Sequence, residues 1–478
     1  MKKARSGILI EIAGWLFLFA GAGILYLVAQ NGNSFIHVQA FAGCLFLVVI
    51  AGIAWEWLIA GKTPLNSRNA VLLGVLFWVL FDPLLMRQGL EEFSPDVLLR
   101  TLLYTLVFIV AVWLAYLMPP YRGIARFFLR MKLDSNHERI FWLVLTIYAL
   151  AIVPVLVASG GGLTELWRSL LAGYSPDIDT GMRRGMLGDQ QGFLQSVARL
   201  LQLAVPFLGI TIIRARVAIW KRWVVLFMML SLISIIFFSG ERRVLALIVL
   251  GPALYLYLSL TEPAKKKWRL AFLAAALGLF WLMQAQVQFR SEGFYDFDAG
   301  VVETNPVEMH RDNNFYWFTT AVDTMPDTYN FTGEWIFAQV LVHPVPRFLW
   351  PGKPYTVGLP FVRWEDIGAS LSISVIGELY VSQGLWGIIL GGLVYGWLAR
   401  NWDQLRQYMQ SANMITVIYC LGLTLLLIGV RSFGDIVVNW YILGVVIFGS
   451  GYWGLFRGRS RRSRAMERSP VWYASRSV

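Results

Sequence analysis

The sequence predicts an all-α, polytopic integral membrane protein with about twelve transmembrane helices. Three observations carry that prediction. Of 478 residues, 57% are hydrophobic and only 15% are charged, where an ordinary soluble domain has about 25% charged. Mean hydropathy is +0.59. The apolar residues also fall in runs long enough to cross a bilayer, which takes about 20 residues per helix. A soluble fold could not hide so much apolar surface, because much of its exterior must be solvated. Two cysteines supply neither a disulfide framework nor a zinc cluster.

Taken in order, the predicted spans are 8–28, 38–59, 70–85, 97–118, 140–158, 193–213, 223–238, 244–260, 270–287, 373–398, 414–430 and 436–456. The first lacks a small-residue cleavage site and reads as a retained helix. The short break at Ser239–Arg243 carries three charges, which separates the seventh span from the eighth. Pro154 lies inside the fifth span, where it predicts a kink.

Charge then orients the chain. With twelve spans both termini share a side. Placing them in the cytoplasm puts 27 of the 41 Lys and Arg residues inside, with 7 of the 29 carboxylates. The other 14 basic and 22 acidic residues fall outside, although the outer loops are longer. This is the positive-inside pattern. The net +12 is therefore an orientation signal and not a nucleic-acid footprint. The organisation is nine spans over 1–289 with an outer loop at 159–192, a large outer loop over 290–370, three spans over 371–456, and a basic tail over 457–478. The tail suits anionic lipid. Within the large loop, Asn314–Val322 and Trp335–Val342 predict short helices on the membrane surface.

The informative charges are the outer minority, thirteen of whose fourteen members are arginines, with Lys353 the remaining one. The guanidinium fork grips phosphate or carboxylate and keeps its charge. Arg242 and Arg243 precede the eighth span, Arg290 follows the ninth, and Arg431 lies between the last two. Arginines at a membrane edge suit a lipid-linked pyrophosphate, and snorkelling or ion pairing is the plainer alternative. Glu378 lies about six residues inside the tenth span, and an ionisable group at such depth marks a candidate site. Asp435 is spaced to pair with Arg431, and Arg199 reads as a snorkelling residue. Glu11 and Glu56 sit near inner helix ends. Of His37, His137, His310 and His343, the last two fall in the large loop, where either can serve as a general base. No HExxH or Cys spacing suggests a metal, and no cofactor motif appears. The triplet Asp177-Ile-Asp179 is formally a DxD but faces away from the cytoplasm. Asn330-Phe-Thr332 is an outer-side sequon.

Three segments resemble the bacterial oligosaccharide repeat-unit polymerases, the Wzy-type O-antigen and exopolysaccharide polymerases. Ser239-Gly-Glu-Arg-Arg243 is similar to their Gly-x-Arg element, with Glu241 where a small residue is expected. Pro346-Arg-Phe-Leu-Trp-Pro-Gly-Lys-Pro354 resembles their Pro-Arg-x-x-Trp-Pro-x-Lys-Pro segment and is the most specific element. Ser372–Tyr380, followed by Gly384 and Gly387, resembles the Gly-Glu-x-Tyr and Gly-rich helix that comes next. The resemblance implies a GT-C-like, metal-independent glycosyltransferase of the bacterial inner membrane, related to the O-antigen ligases. It would join glycans carried on undecaprenyl pyrophosphate, working beside a flippase and a chain-length regulator. By matched position it implicates Arg242, Arg347, Lys353 and Glu378. Arg243, Arg290 and Arg431 are added by location, and His343 as a candidate base.

Rival readings stay open. An O-antigen ligase would depend on a loop histidine, His310 or His343. A lipid-linked oligosaccharide transporter would show repeats and broken helices at mid-membrane. A dolichol-phosphate-type enzyme would need a carboxylate in the first outer loop, which Asn31–Ser34 lacks.

Overall fold

The protein is described by a computed structural model over residues 2–30, 34–58, 65–85, 89–121, 123–130, 136–158, 164, 189–238, 242–292, 314–334, 350, 373–409, 414–434 and 442–447. It is helical throughout, with no strand among the described residues. The helices are α1 (Lys2–Gln30), α2 (Phe35–Leu58), α3 (Ser67–Leu84), α4 (Pro95–Tyr116), α5 (Gly123–Arg130), α6 (His137–Ala158) and α7 (Asp189–Arg214). They continue as α8 (Ile219–Phe238), α9 (Arg242–Leu258), α10 (Glu262–Glu292), α11 (Asn314–Thr324), α12 (Ser374–Trp402) and α13 (Met414–Ile428).

Seven of these, α1, α2, α3, α4, α8, α12 and α13, include stretches long and apolar enough to cross a membrane. They coincide with the first four predicted spans and with the seventh, tenth and eleventh. Shorter apolar stretches, Leu200–Arg214 and Arg243–Leu258, lie in α7 and α9. In hydrocarbon a helix satisfies its backbone within its own segment, so apolar runs of this length fold as helices. Large apolar side chains stand on the outside, among them Phe17, Ile36, Phe227 and Trp386. A soluble protein would not expose so many together, and the protein is membrane-embedded.

The core gathers around α4 and the second half of α12, which lie side by side through small residues. A Cβ on Gly392 would come within 2.7 Å of the Ala111 Cβ, and one on Gly396 within 2.1 Å of the Val112 carbonyl. This is close backbone approach through a Gly-xxx-Gly face. A step of four residues on α12 matches a step of four on α4, so the two helices run in the same direction. Tyr395 extends the contact, with its ring edge-on to Phe108 at 5.8 Å and its hydroxyl donating to the Gly429 carbonyl.

At the Tyr116 end of α4 a polar cluster ties the helices together. Asp403 follows α12, and its carboxylate accepts from Ser67 N–H (3.0 Å), Ser67 Oγ (2.7 Å), Tyr116 Oη (2.5 Å) and Tyr419 Oη (2.8 Å). The Arg68 guanidinium is 1% exposed and lies against the rings of Trp15 (5.5 Å) and Tyr116 (4.7 Å). Arg400 lies against the same tyrosine ring at 5.2 Å. Arg68 reads from sequence as a loop charge. In the structure α3 begins earlier, with the Asn66 side chain accepting from Asn69 N–H at its N-terminus. Arg68 is thereby drawn inside, where the aromatic faces and the nearby carboxylate offset its charge.

Two expectations change. The helix expected at Asn314–Val322 forms, but it does not lie on a surface. Phe315, Phe318, Thr319 and Ala321 are fully buried, and α11 packs against α4 and α12. Its aromatics find partners there, Tyr316 on Phe93 and Phe318 on Tyr380. Tyr316 also donates to Glu92, and burial followed by that carboxylate raises its phenol to about 12. The tenth predicted span is also not one continuous helix. The stretch Trp335–Val342 lies outside the described residues.

Candidate functional site: the break in α12

The sequence Ser382-Gln383-Gly384 interrupts an apolar helix with polar and unbranched residues. Gln383 leaves helical geometry (φ −146°, ψ 25°), and Gly384 takes φ 62°, ψ −142°, a region open essentially to glycine alone. The chain therefore forms a short segment, 374–382, and a long one, 385–402. They do not run end to end. A Cβ on Gly387 would meet the Leu379 carbonyl at 2.1 Å, and one on Gly391 would meet the Leu379 side chain at 2.2 Å. In a straight helix Leu379 and Gly391 would be about 18 Å apart. The short segment thus folds back along the long one. One glycine pair, 392 and 396, receives α4, and another, 387 and 391, receives this returning turn.

The α4 register fixes the depth of the break. With Gly392 beside Phe108–Ala111 and Gly396 beside Val112–Ala115, Gly384 falls level with about Leu102, roughly 10 Å in from the Pro95 end of α4. Tyr380 stacks on Tyr104 at 5.3 Å, further from Pro95 than a straight helix would bring it. Non-helical backbone at this depth survives only where protein or a cavity supplies partners. Here the segment after α11 does so. Thr332 N–H and Gly333 N–H donate to the carbonyls of Val381 and Ser382 at 2.9 Å, and Ser382 Oγ donates back to the Gly333 carbonyl. Tyr380 Oη donates to the Met325 carbonyl, and Phe331 lies edge-on to Tyr380. The start of the short segment is also specialised. Ser374 holds φ 63°, unusual for a residue with a side chain, and its Oγ accepts from Gly377 N–H.

Glu378 sits on this short segment and is 5% exposed. Its Oε2 accepts from Phe433 N–H at 2.6 Å, a charge-assisted bond. Phe433 follows the 3₁₀ turn Gly429–Arg431 that ends α13. The Arg431 guanidinium in turn lies 5.7 Å from the Trp78 ring centre, and Trp78 belongs to a π-helical turn, Leu76–Leu80, within α3. Such turns concentrate at functional sites. The structure therefore brings Glu378 into contact with the segment that carries Arg431.

A cavity of about 690 Å³ opens beside this junction. At the break its lining includes the polar Glu334, Ser382 and Gln383, and further along Tyr395 and Trp402 are the residues with polar atoms. From there Gly387, Leu390, Val394 and Leu398 line it along α12, facing Leu425 and Leu426 of α13, down to Trp402 and Ile124.

The remaining sequence candidates fall elsewhere. Arg242 and Arg243 occupy the first turn of α9, and Arg243 is half-buried. Arg290 lies in the last turn of α10, but its side chain, like that of Arg199, is outside the described residues. His310, His343, Arg347, Lys353 and Asp435 are outside them altogether. Among the described residues no three His, Cys, Asp or Glu side chains converge as metal ligands. Sequence reasoning missed Glu334, Thr332, Ser382, Gln383 and Phe433. The signal for three of these was available, because Ser382-Gln383-Gly384 is a polar break in an apolar run and Thr332 belongs to the sequon.

A sequence profile for a domain of unknown function, DUF8712, matches residues 305–457. It spans most of the segment 290–370, the broken helix, most of the residues that line the cavity, and Arg431. No solved structure matches the chain.

Proposed function

We propose that the protein is a glycan polymerase of the bacterial inner membrane, with a twelve-span GT-C-like plan and both termini in the cytoplasm. It transfers a growing glycan from undecaprenyl pyrophosphate to a sugar hydroxyl on a second lipid-linked repeat unit at the outer face. The observation that carries this reading is Glu378. A buried carboxylate lies at a helix break within the membrane, on the segment that resembles the polymerase motif, beside a cavity polar at one end and apolar along its length. A lipid-linked glycan has the same division.

In this reading Glu378 takes the proton of the acceptor hydroxyl as its oxygen attacks the anomeric carbon. The bond from that carbon to the pyrophosphate oxygen breaks, and the pyrophosphate leaves with the electron pair. Fixed guanidiniums stabilise its charge without a metal. Arg431 is chosen because it lies two residues before Phe433, whose N–H donates to Glu378, and Arg242, Arg347 and Lys353 come from the resemblance. Arg243 and Arg290 share the outer edge, and His343 is a second candidate base.

The test is polymer formation by the purified protein from a lipid-pyrophosphate oligosaccharide, without added nucleotide. A ladder that Arg242→Ala and Arg347→Ala abolish supports the reading. An undiminished ladder in both variants removes the arginine mechanism.

One observation favours a transporter instead, since broken helices at mid-membrane are a transporter device. The cavity argues the other way, because its wall along α12 is mostly apolar and offers few partners for sugar hydroxyls. Movement of intact lipid-linked glycan across vesicles without chain growth would decide for the transporter.

A further inference from the structure

The end of the bundle remote from the break gathers arginines without gathering acceptors for them. Arg400 lies in the last turn of α12, half-buried, with its guanidinium 5.2 Å from the Tyr116 ring centre. Arg68 lies against the same ring at 4.7 Å. Arg406 follows in the 3₁₀ turn Asp403–Tyr408, within electrostatic reach of Tyr419. A guanidinium carries five N–H donors, and an arginine at a helix end ordinarily spends some of them on the last carbonyls. Those carbonyls are taken here. The Trp397 carbonyl accepts from the Asn401 side chain at 2.8 Å, and the Ala399 and Asn401 carbonyls accept from Asp403 N–H. The Asp403 carboxylate is engaged in turn by Ser67, Tyr116 and Tyr419. Arg400 Nε is shut off from solvent and meets no acceptor among the described residues. The Arg406 side chain makes no hydrogen bond or ion pair among them either. A half-buried cation with unmet donors is costly. Orienting the chain asks only for charge, which lysine supplies as well, whereas an unmet planar fork asks for an anion with two oxygens to offer.

The surroundings of these arginines are those of a bilayer's edge. Trp397, one turn before Arg400, and Tyr408, at the end of the 3₁₀ turn, are exposed. Tyr121 is exposed as well, and its N–H donates to the Asn401 side chain at 2.5 Å. Rings with one apolar and one polar end collect at the level of lipid headgroups. On α5, which packs against α12 and the 3₁₀ turn, exposed Phe127 offers apolar surface to acyl chains. We infer that Arg400 and Arg406 hold the phosphodiester of an anionic phospholipid at this edge of the bundle. The Arg400 fork grips the two unesterified oxygens, and the lipid lies across the end of α12, the 3₁₀ turn and α5. Its net negative charge offsets the surplus of guanidiniums, which a zwitterionic lipid with a cation of its own does less well. The aromatic rim and the apolar surface favour a lipid over a free phosphate. The site lies at the opposite end of α12 from Glu378 and does not rest on the function proposed above.

The test uses the full chain in neutral detergent, with a photo-crosslinking benzoylphenylalanine in place of Tyr408 and radiolabelled phosphatidylglycerol as probe. Unlabelled phosphatidylglycerol should displace the label at a concentration about tenfold or more below that of phosphatidylcholine. Arg400→Gln and Arg406→Gln together should reduce labelling by about tenfold or more. Arg400→Lys, which keeps the charge and loses the fork, should fall between the wild type and that pair. Arg406→Gln alone leaves the Tyr116 stack untouched and should still reduce labelling severalfold, which keeps the test readable if Arg400→Gln does not fold. Arg216→Gln removes an exposed cation between α7 and α8 and should leave labelling unchanged. Equal displacement by phosphatidylcholine, or undiminished labelling of the Arg406→Gln and double variants, overturns the inference. Displacement by inorganic phosphate as readily as by phosphatidylglycerol also overturns it, in favour of a free-phosphate site.

Discussion

Glu378 Oε2 accepts from Phe433 N–H at 2.6 Å, and this bond joins the folded-back end of α12 to the turn that carries Arg431. Two segments separated by most of two helices become one edge of a cavity. The bond also separates two roles for the carboxylate. Glu378→Gln keeps an oxygen acceptor for Phe433 and loses the charge, whereas Glu378→Ala loses both. Glu378→Ala should be the less stable by about 1–3 kcal/mol, the cost of leaving a buried amide unmet. Glu378→Gln should unfold near the wild-type temperature. Thermal unfolding in detergent, followed by thiol labelling of the fully buried Cys420, measures both.

Arg431 should depend on its planar fork as well as on its charge. Arg431→Lys retains the cation but neither grips two phosphate oxygens at once nor stacks as well on Trp78. Polymer formation should fall by about tenfold, equivalent to about 1.4 kcal/mol of transition-state stabilisation. Initial rates over a range of lipid-linked substrate check this, and Arg431→Ala should be lower still.

The break depends on Gly384. Gly384→Ala places a Cβ at a positive φ and 2.9 Å from the Phe331 ring, at a cost on the order of 1–3 kcal/mol for the backbone alone. The variant should unfold earlier and become sensitive to protease between α11 and α12. Gly278→Ala is the control. Its Cβ meets nothing within 4 Å in the middle of α10, and alanine there should stabilise by about 0.5–1 kcal/mol.

At the other end of the bundle, Asp403 holds the N-terminus of α3, the end of α4 and the middle of α13 together. Asp403→Ala strands the Ser67 N–H and the hydroxyls of Ser67, Tyr116 and Tyr419. Each buried donor left unmet costs about 1–3 kcal/mol, so the variant should unfold well below the wild-type temperature. Tyr419→Phe should cost less in the Asp403→Ala background than in the wild type, and a double-mutant cycle on unfolding reads that coupling.

The membrane class and the positions of the apolar helices were legible in the sequence, because hydrocarbon leaves the backbone few alternatives. Glu378 was legible for the same reason, as a charge where charge is expensive. What lay hidden was long-range. An apolar run from 373 to 398 reads as one helix, and only the packing of Leu379 on Gly387 and Gly391 shows that it turns back. Helix α11 reads as a surface element because its burial is provided by α4 and the short arm of α12, remote in sequence. Arg68 reads as an orientation charge because nothing local announces Tyr116, Trp15 and Asp403 as its surroundings.

The most direct test of the central claim is a time course of chain growth. Wild-type protein and Glu378→Gln are each incubated with a lipid-pyrophosphate oligosaccharide, and products are resolved by size. The account predicts a regular ladder from the wild type and a loss of about 10²–10⁴ in rate for Glu378→Gln, the range for removing a general base. A ladder from Glu378→Gln growing as fast as that of the wild type would contradict it.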